Sequence, residues 1–203
     1  KRIEKKGRTI YINGKKVKAL GANRHESHPN LGHVIPLDHM ERDIKILKSH
    51  NCNMIRTSHY PDDPRFYELC DKYGMYIVDE ADLECHGMCL WNDGYGAAEW
   101  DMLSDSDDWT ESYLLRVKKL FERDKNHPCV AIWSLGNESG MGKNHLKMRD
   151  YIKSRDKDAL VHYEGCSTEH TPLAKKYKLE MDFDSHMYPE PLKCEEFIKE
   201  KGQ

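Results

Sequence analysis

The 203-residue chain has no apolar run approaching the roughly 20 residues a membrane-spanning helix needs. Its basic start, KRIEKKGR, is not followed by the apolar core of a signal peptide. Both absences point to a soluble chain with no membrane partner. It also lacks a CxxC pair, and its seven cysteines (Cys52, Cys70, Cys85, Cys89, Cys129, Cys166 and Cys194) form an odd set. That usage argues against a disulfide framework and for reduced thiols in a cytoplasmic setting. An excess of one charge is missing too, because 32 basic residues stand against 35 acidic ones, well mixed, for a net charge of -3. A nucleic-acid groove needs a basic stripe, so no nucleic acid is expected as a partner. Repeats at the residue level and low-complexity segments are absent. What remains, with 38% hydrophobic residues, is a chain able to bury a sizeable core.

The pattern that is present alternates short apolar runs with helical stripes. GRTIYINGKKVKALGAN holds an Asn-Gly turn and predicts a lead-in hairpin over residues 1–16, running into a strand near Val17 to Gly21. Helical spacing follows in LDHMERDIKILKSH, in DPRFYELCDKYG with Pro64 at its start and Gly74 as its stop, in SDSDDWTESYLLRVKKLFERDKNHP and in KNHLKMRDYIKSRD. Between them lie strands, six in all, starting at Val17, Asn53, Met75, Val130, Leu160 and Met181, and PLKCEEFIKEKG predicts a final helix. The run VAIWSL lacks polar alternation, as a strand covered on both faces requires, and such strands belong to parallel sheets. The expectation is an α/β chain of βα units over residues 17–203. Residues 86–108, rich in Gly, Asp and Trp, form one long loop, and long loops in compact domains are often functional.

Polar and aromatic residues gather just after the strands: ANRHESHPN, RTSHYP, DEADLECHG, GNESG, YEG and SHMYP. If the strands are parallel, His25, His59, Glu84, His86, Glu138 and Tyr188 surround one mouth, the C-terminal face where parallel barrels carry their chemistry. Any one of these histidines alone reads better as a hydrogen-bonded structural residue. For Glu138 the competing reading is a favourable charge at a helix start near Lys143, with Asn137 as the N-cap. Glu84 and His86 stand two apart, so an extended chain projects both to one side, which suits a metal. With Glu138 the set is mostly oxygen donors, favouring Mg2+ with Mn2+ as the variant. A thiolate zinc site from Cys85 and Cys89 has no second cysteine pair to complete it. RHESH is HExH, not the HExxH of zinc proteases, and Pro-Asn-Leu-Gly after it argues against a helix.

GANRHESHP, MIRTSHYPDDPRFYELCDKYGMYIVDEADLECHG and RDKNHPCVAIWSLGNESGMG together resemble the catalytic domain of glycoside hydrolase family 2, most closely its bacterial β-galactosidases. The resemblance implies a (β/α)8 TIM barrel, here partial with about six of eight strands, that hydrolyses terminal β-galactosides with retention. By position Glu138 resembles the general acid/base and Asn137 the partner of the sugar 2-hydroxyl. Glu84, His86 and Glu138 resemble magnesium ligands, and a sodium site cannot be read from these residues. His25 and His59 resemble galactose contacts, Tyr188 the tyrosine beside the nucleophile, and Arg56 the arginine that orients it. The family's nucleophile, a glutamate in an EYxHxMGN-type segment, is not in this chain. Glu164 in HYEG and Glu190 in MYPEP do not match its context. The chain is therefore expected to be part of a larger enzyme, inactive alone, with further strands and domains as its partners and a homo-oligomeric whole. Two alternatives stand beside this: a β-glucuronidase of the same family, which should show basic side chains for the sugar carboxylate, and a non-catalytic sugar-binding module.

Overall fold

The computed structural model describes residues 1–90, 97–166, 172–177, 180–190 and 192. Three short strands, β1 (Ile3–Lys6), β2 (Thr9–Ile12) and β3 (Lys15–Val17), form an antiparallel lead-in sheet. Asn13 and Gly14, at φ 51° and 78°, make the two-residue turn between β2 and β3 that the sequence predicts. Next come β4 (Gly21–Arg24), β5 (Met54–Thr57), β6 (Tyr76–Glu80), β7 (Val130–Ser134) and β8 (Val161–His162). They lie side by side in chain order, every neighbouring pair parallel. The helices are α1 (Leu37–Ser49), α2 (Pro64–Tyr73), α3 (Ala97–Asp101), α4 (Thr110–Asp124), α5 (Lys143–Arg155) and α6 (Pro172–Lys176). With α1, α2, α4 and α5 as crossovers, the sheet winds in one direction, as in the first part of a βα barrel. Among the described residues no helix is long and apolar enough to cross a membrane.

Local chemistry explains where these helices start and stop. In α2 the Asp63 carboxylate accepts the Arg65 N–H at 2.9 Å, Pro64 occupies the first turn, and Gly74 at φ 65° ends the helix. In α4 the buried residues Tyr113, Val117, Leu120, Phe121 and Asp124 recur at three and four, which puts them on one face. That face belongs to the main apolar cluster with outward strand residues such as Ile77 and Trp133, the Phe121 and Trp133 rings lying 4.8 Å apart. Each large side chain so buried contributes about 1.5–3 kcal/mol. A second cluster joins the opposite strand face (Met54, Tyr76, Val78, Ala131, Ile132 and Leu160) to Ile3, Ile10, Ile12 and Val17 of the lead-in sheet. The lead-in sheet thus floors the strands.

Strand β7 is fixed at both ends by residues of its neighbours. Ile77 pairs with Val130 and Val78 with Ile132, so Ala131 is an extra residue, a bulge. The bulge turns Ser134 toward the face of Glu80, whose carboxylate it reaches at 2.6 Å. At the start of β7, Asp71 of α2 accepts the Cys129 N–H at 2.7 Å and meets His127 Nδ1 at 2.7 Å.

Two expectations need correction. The first parallel strand begins at Gly21, four residues after Val17, which ends the lead-in sheet instead. β4 is a small, largely exposed strand, GANR, without the apolar content that periodicity detects. The Met181 segment runs as bends rather than as a strand. It touches β8 through one backbone bond, Asp182 N–H to Val161 C=O at 3.0 Å, while the Asp182 carboxylate accepts the Val161 N–H at 2.8 Å. A side-chain oxygen takes the place of a ladder carbonyl there, so pairing does not propagate. The long loop holds a 3-10 turn (His86–Leu90) and α3, and the predicted final helix lies almost wholly outside the described residues. The six described cysteines are free thiols.

Candidate active site

The C-terminal ends of β4 to β8 bring one polar cluster together, centred on Glu80. Side chains alternate along β6, so Tyr76, Val78 and Glu80 face inward while Ile77 and Asp79 face the helices. Glu80 is fully buried and carries three partners, from β5, from the turn after it and from β7. Arg56 of β5 donates to it twice, at 2.6 and 3.0 Å, His59 Nδ1 lies 2.6 Å away, and Ser134 Oγ donates at 2.6 Å. Burial alone would push this carboxyl up, but the hydrogen bonds and charge of His59, Arg56 and Ser134 outweigh it and hold the group below its ordinary value. Ser134 also meets His162 Nδ1 at 3.0 Å, and burial lowers that imidazole to about 4. The Ser58–His59 peptide bond is cis.

From this centre the contacts run to the expected residues. His25 is exposed and stands edge-on to His59, ring centroids 5.4 Å apart. Arg56 Nη2 donates to Asn137 Oδ1 at 3.1 Å, and Asn137 Nδ2 donates to Glu84 Oε2 at 3.2 Å. Asn137 is thus engaged by its site neighbours, and α5 starts instead after Gly142, which removes the N-cap reading. His86 Nδ1 lies 3.0 Å from Glu138 Oε2. Donor atoms of Glu84, His86 and Glu138 all fall within 4.8 Å of one another, although His86 already belongs to a 3-10 turn. Opposite ligands of six-coordinate magnesium stand about 4 Å apart, so two carboxylates and an imidazole at this spacing fit a hard divalent cation after small movements. Tyr188 is not drawn into the cluster: it is 92% exposed and has no hydrogen bond or ring contact to these residues among those described.

The loop bearing Glu138 is held tightly by residues that sequence reasoning does not assign to the site. Trp100 stacks on His86 (5.5 Å, 23°) and donates through Nε1 to the Glu138 carbonyl at 3.0 Å. Asp101 accepts the Met141 N–H at 2.7 Å. Gly140 sits at φ 64°, and a Cβ there would lie 2.4 Å from the Trp100 carbonyl oxygen, so another residue would be both strained and blocked. Glu80, Ser134, His162 and Trp100 are the missed members. The acidic end of MYIVDE and the tryptophans of the long loop are the signals that point to them.

A one-way parallel sheet whose strand ends collect carboxylates, histidines and an arginine is arranged as the catalytic face of a barrel enzyme is. Residues 3–202 match the family described as "Glycosyl hydrolases family 2, TIM barrel domain", and the chain belongs to that family. A β-galactosidase of Vibrio cholerae is 51% identical over 156 residues, covering 77% of this chain and 14% of that protein. A β-galactosidase of Streptococcus thermophilus is 41% identical over 199 residues, covering 98% of this chain and 19% of that protein. Among solved structures, a β-D-glucuronidase of Dictyoglomus thermophilum superposes with TM-score 0.64 at 25% identity, over 78% of this chain and 28% of that one. The chain therefore spans less than a fifth of the length of these two curated relatives. It is a β-galactosidase-like part of the catalytic domain.

Proposed function

We propose that this chain supplies the acid/base carboxylate and the metal site of a retaining β-galactosidase whose nucleophile lies outside residues 1–203. The observation that carries this is the convergence of Glu138 with Glu84 and His86 at the strand ends, in a chain 41–51% identical to β-galactosidases. A glycosidic oxygen leaves poorly unless protonated, and retention needs a second carboxylate about 5 Å from the acid. Glu138 takes the first role: its proton passes to the glycosidic oxygen as the C1–O bond breaks, and it later accepts a proton from the attacking water. Glu80 is unsuited to the second role, since both its oxygens are occupied by His59, Arg56 and Ser134. Held by Glu80, Arg56 is fixed to orient an incoming nucleophile, and Asn137 sits beside Glu138 to meet the sugar 2-hydroxyl. His25 and His59 line the rim for the galactose, while Tyr188, exposed and apart from them here, is assigned a place beside the nucleophile by the resemblance alone. Glu84, His86 and Glu138 would hold Mg2+, or Mn2+, which supplies a fixed positive charge beside the acid/base when bound.

The test is turnover of aryl and alkyl β-galactosides by the full-length protein carrying this sequence. Glu138→Gln is expected to lower kcat on alkyl substrates by about 10²–10⁴-fold, the usual worth of a general acid. Detectable turnover by residues 1–203 alone would defeat the placement of the nucleophile. The glucuronidase reading rests on the structural likeness at 25% identity, and a preference for β-glucuronides over β-galactosides would put it first.

A further inference from the structure

Two consecutive residues after β8 grip the loop that carries Glu138. Tyr163 Oη accepts the Ser139 N–H at 3.1 Å and donates to the Gly140 carbonyl at 2.5 Å. Glu164 Oε1 accepts the N–H of Glu138 itself at 2.7 Å. The next residue, Gly165, packs so closely that a Cβ would lie 2.4 Å from the Tyr163 ring and 2.5 Å from the Gly140 oxygen. Tyr-Glu-Gly thus closes on Glu138-Ser139-Gly140 as a clamp.

Glu164 is an expensive choice for this position. It is 3% exposed, and its Oε2 has no hydrogen-bond partner among the described residues, with Arg56 Nη2 4.0 Å away. Burial pushes its carboxyl up to about 7 against the pull of Arg56. A buried carboxyl costs free energy unless its bonds repay it, so an apolar side chain would serve packing better. What an apolar residue cannot do is accept the Glu138 N–H. Three contacts then fix this stretch: Arg56 on the Asn137 side chain, Trp100 on the Glu138 carbonyl, and Glu164 on the Glu138 N–H.

We propose that Glu164 is a positioning residue for general acid catalysis, fixing the backbone from which the Glu138 carboxyl projects. The proposal rests on reading Glu138 as the acid/base. Oε1 accepts the N–H whether or not Glu164 is ionised, so the role does not depend on its titration.

Misplacing an acid hurts most when the leaving group needs the proton. In the full-length protein carrying this sequence, kcat/KM is measured for methyl and 2,4-dinitrophenyl β-galactosides. Glu164→Ala is expected to lose about 10–100-fold on the methyl substrate and less than about 3-fold on the dinitrophenyl one, with the change in kcat rather than KM. Glu164→Gln keeps an acceptor oxygen and is expected to recover most of the loss. If Glu164→Ala fails to fold, Glu164→Asp, which withdraws the acceptor by one methylene, carries the same comparison. Equal losses on both substrates, or a Gln variant as impaired as Ala, would overturn the proposal. Glu138→Ala serves as the reference: if it shows leaving-group dependence and the Glu164 variants do not, this proposal alone falls, and if it shows none, the acid/base reading falls with it.

Discussion

Asp79 and Glu80 are neighbours on β6, both carboxylic acids and both fully buried, yet their carboxyls are shifted in opposite directions. Glu80 faces the strand ends, where Arg56, His59 and Ser134 overcome the cost of burial and hold its carboxyl below the ordinary range. Asp79 faces the helices, where Tyr67 donates to it at 2.6 Å. Burial and the nearby charge of Asp124 there push it well above the ordinary range, which favours the protonated form. Arg123 is close by but is bound to Asp124, with contacts from 2.7 to 2.9 Å. Depth does not decide ionisation; the uncommitted positive charge within reach does.

The comparison breaks most sharply at Glu80. Glu80→Gln strips charge from a buried pair and leaves Arg56 uncompensated, so a loss of about 3–5 kcal/mol is expected in urea unfolding, together with most of the activity. A stable, active variant would show that Arg56 is held by something else. Tyr67→Phe comes next. It leaves Asp79 and the Asp62 N–H, both partners of the Tyr67 hydroxyl, without that bond, at a cost of about 1–3 kcal/mol and with activity retained. Asp79→Asn costs least: near pH 4 it is expected to lie within about 1 kcal/mol of the parent, and as pH rises it gains on the parent, because only the unfolded carboxyl then ionises. A loss as large as that of Glu80→Gln would mean that Asp79 is ionised.

The pH dependence sharpens the contrast, because the two signs are opposite. Glu80 has a folded-state value below its ordinary 4.5, so its contribution is present above that pH and is lost as pH falls through the folded value. Asp79 has a folded-state value well above its ordinary 3.8. Its contribution is whole at acid pH and is lost as pH rises toward the folded value. Unfolding midpoints across pH should therefore show Glu80→Gln flattening the acid side and Asp79→Asn flattening the decline above it. Identical profiles for the two variants would remove the distinction.

The strands, their order and the residues at their ends are legible because VAIWSL, MYIVDE and the four helical stripes are strongly patterned. Glu84, His86 and Glu138 are legible for the same reason, since each follows a strand directly. β4 is displaced because GANR is short and barely apolar, and the Met181 strand is overstated because Asp182 satisfies Val161 with its side chain. Glu80 reads in sequence only as the end of a packing strand. Its importance lies in partners 21 to 54 residues away, a distance no local pattern encodes. Trp100 and Glu164 are hidden likewise, since each reaches Glu138 through a backbone atom.

The bulge at Ala131 acts as a reading-frame device in three dimensions. Because side chains alternate along a strand, one surplus residue decides which of Trp133 and Ser134 meets Glu80 and which meets Phe121 of α4. Paired one for one from Ile77 and Val130, the same residues would set Trp133 against Glu80 and carry Ser134 one step beyond it; the surplus residue at Ala131 brings the serine back to that place. A further insertion or deletion between Ile132 and Ser134 would turn the serine away from Glu80 and the tryptophan toward it.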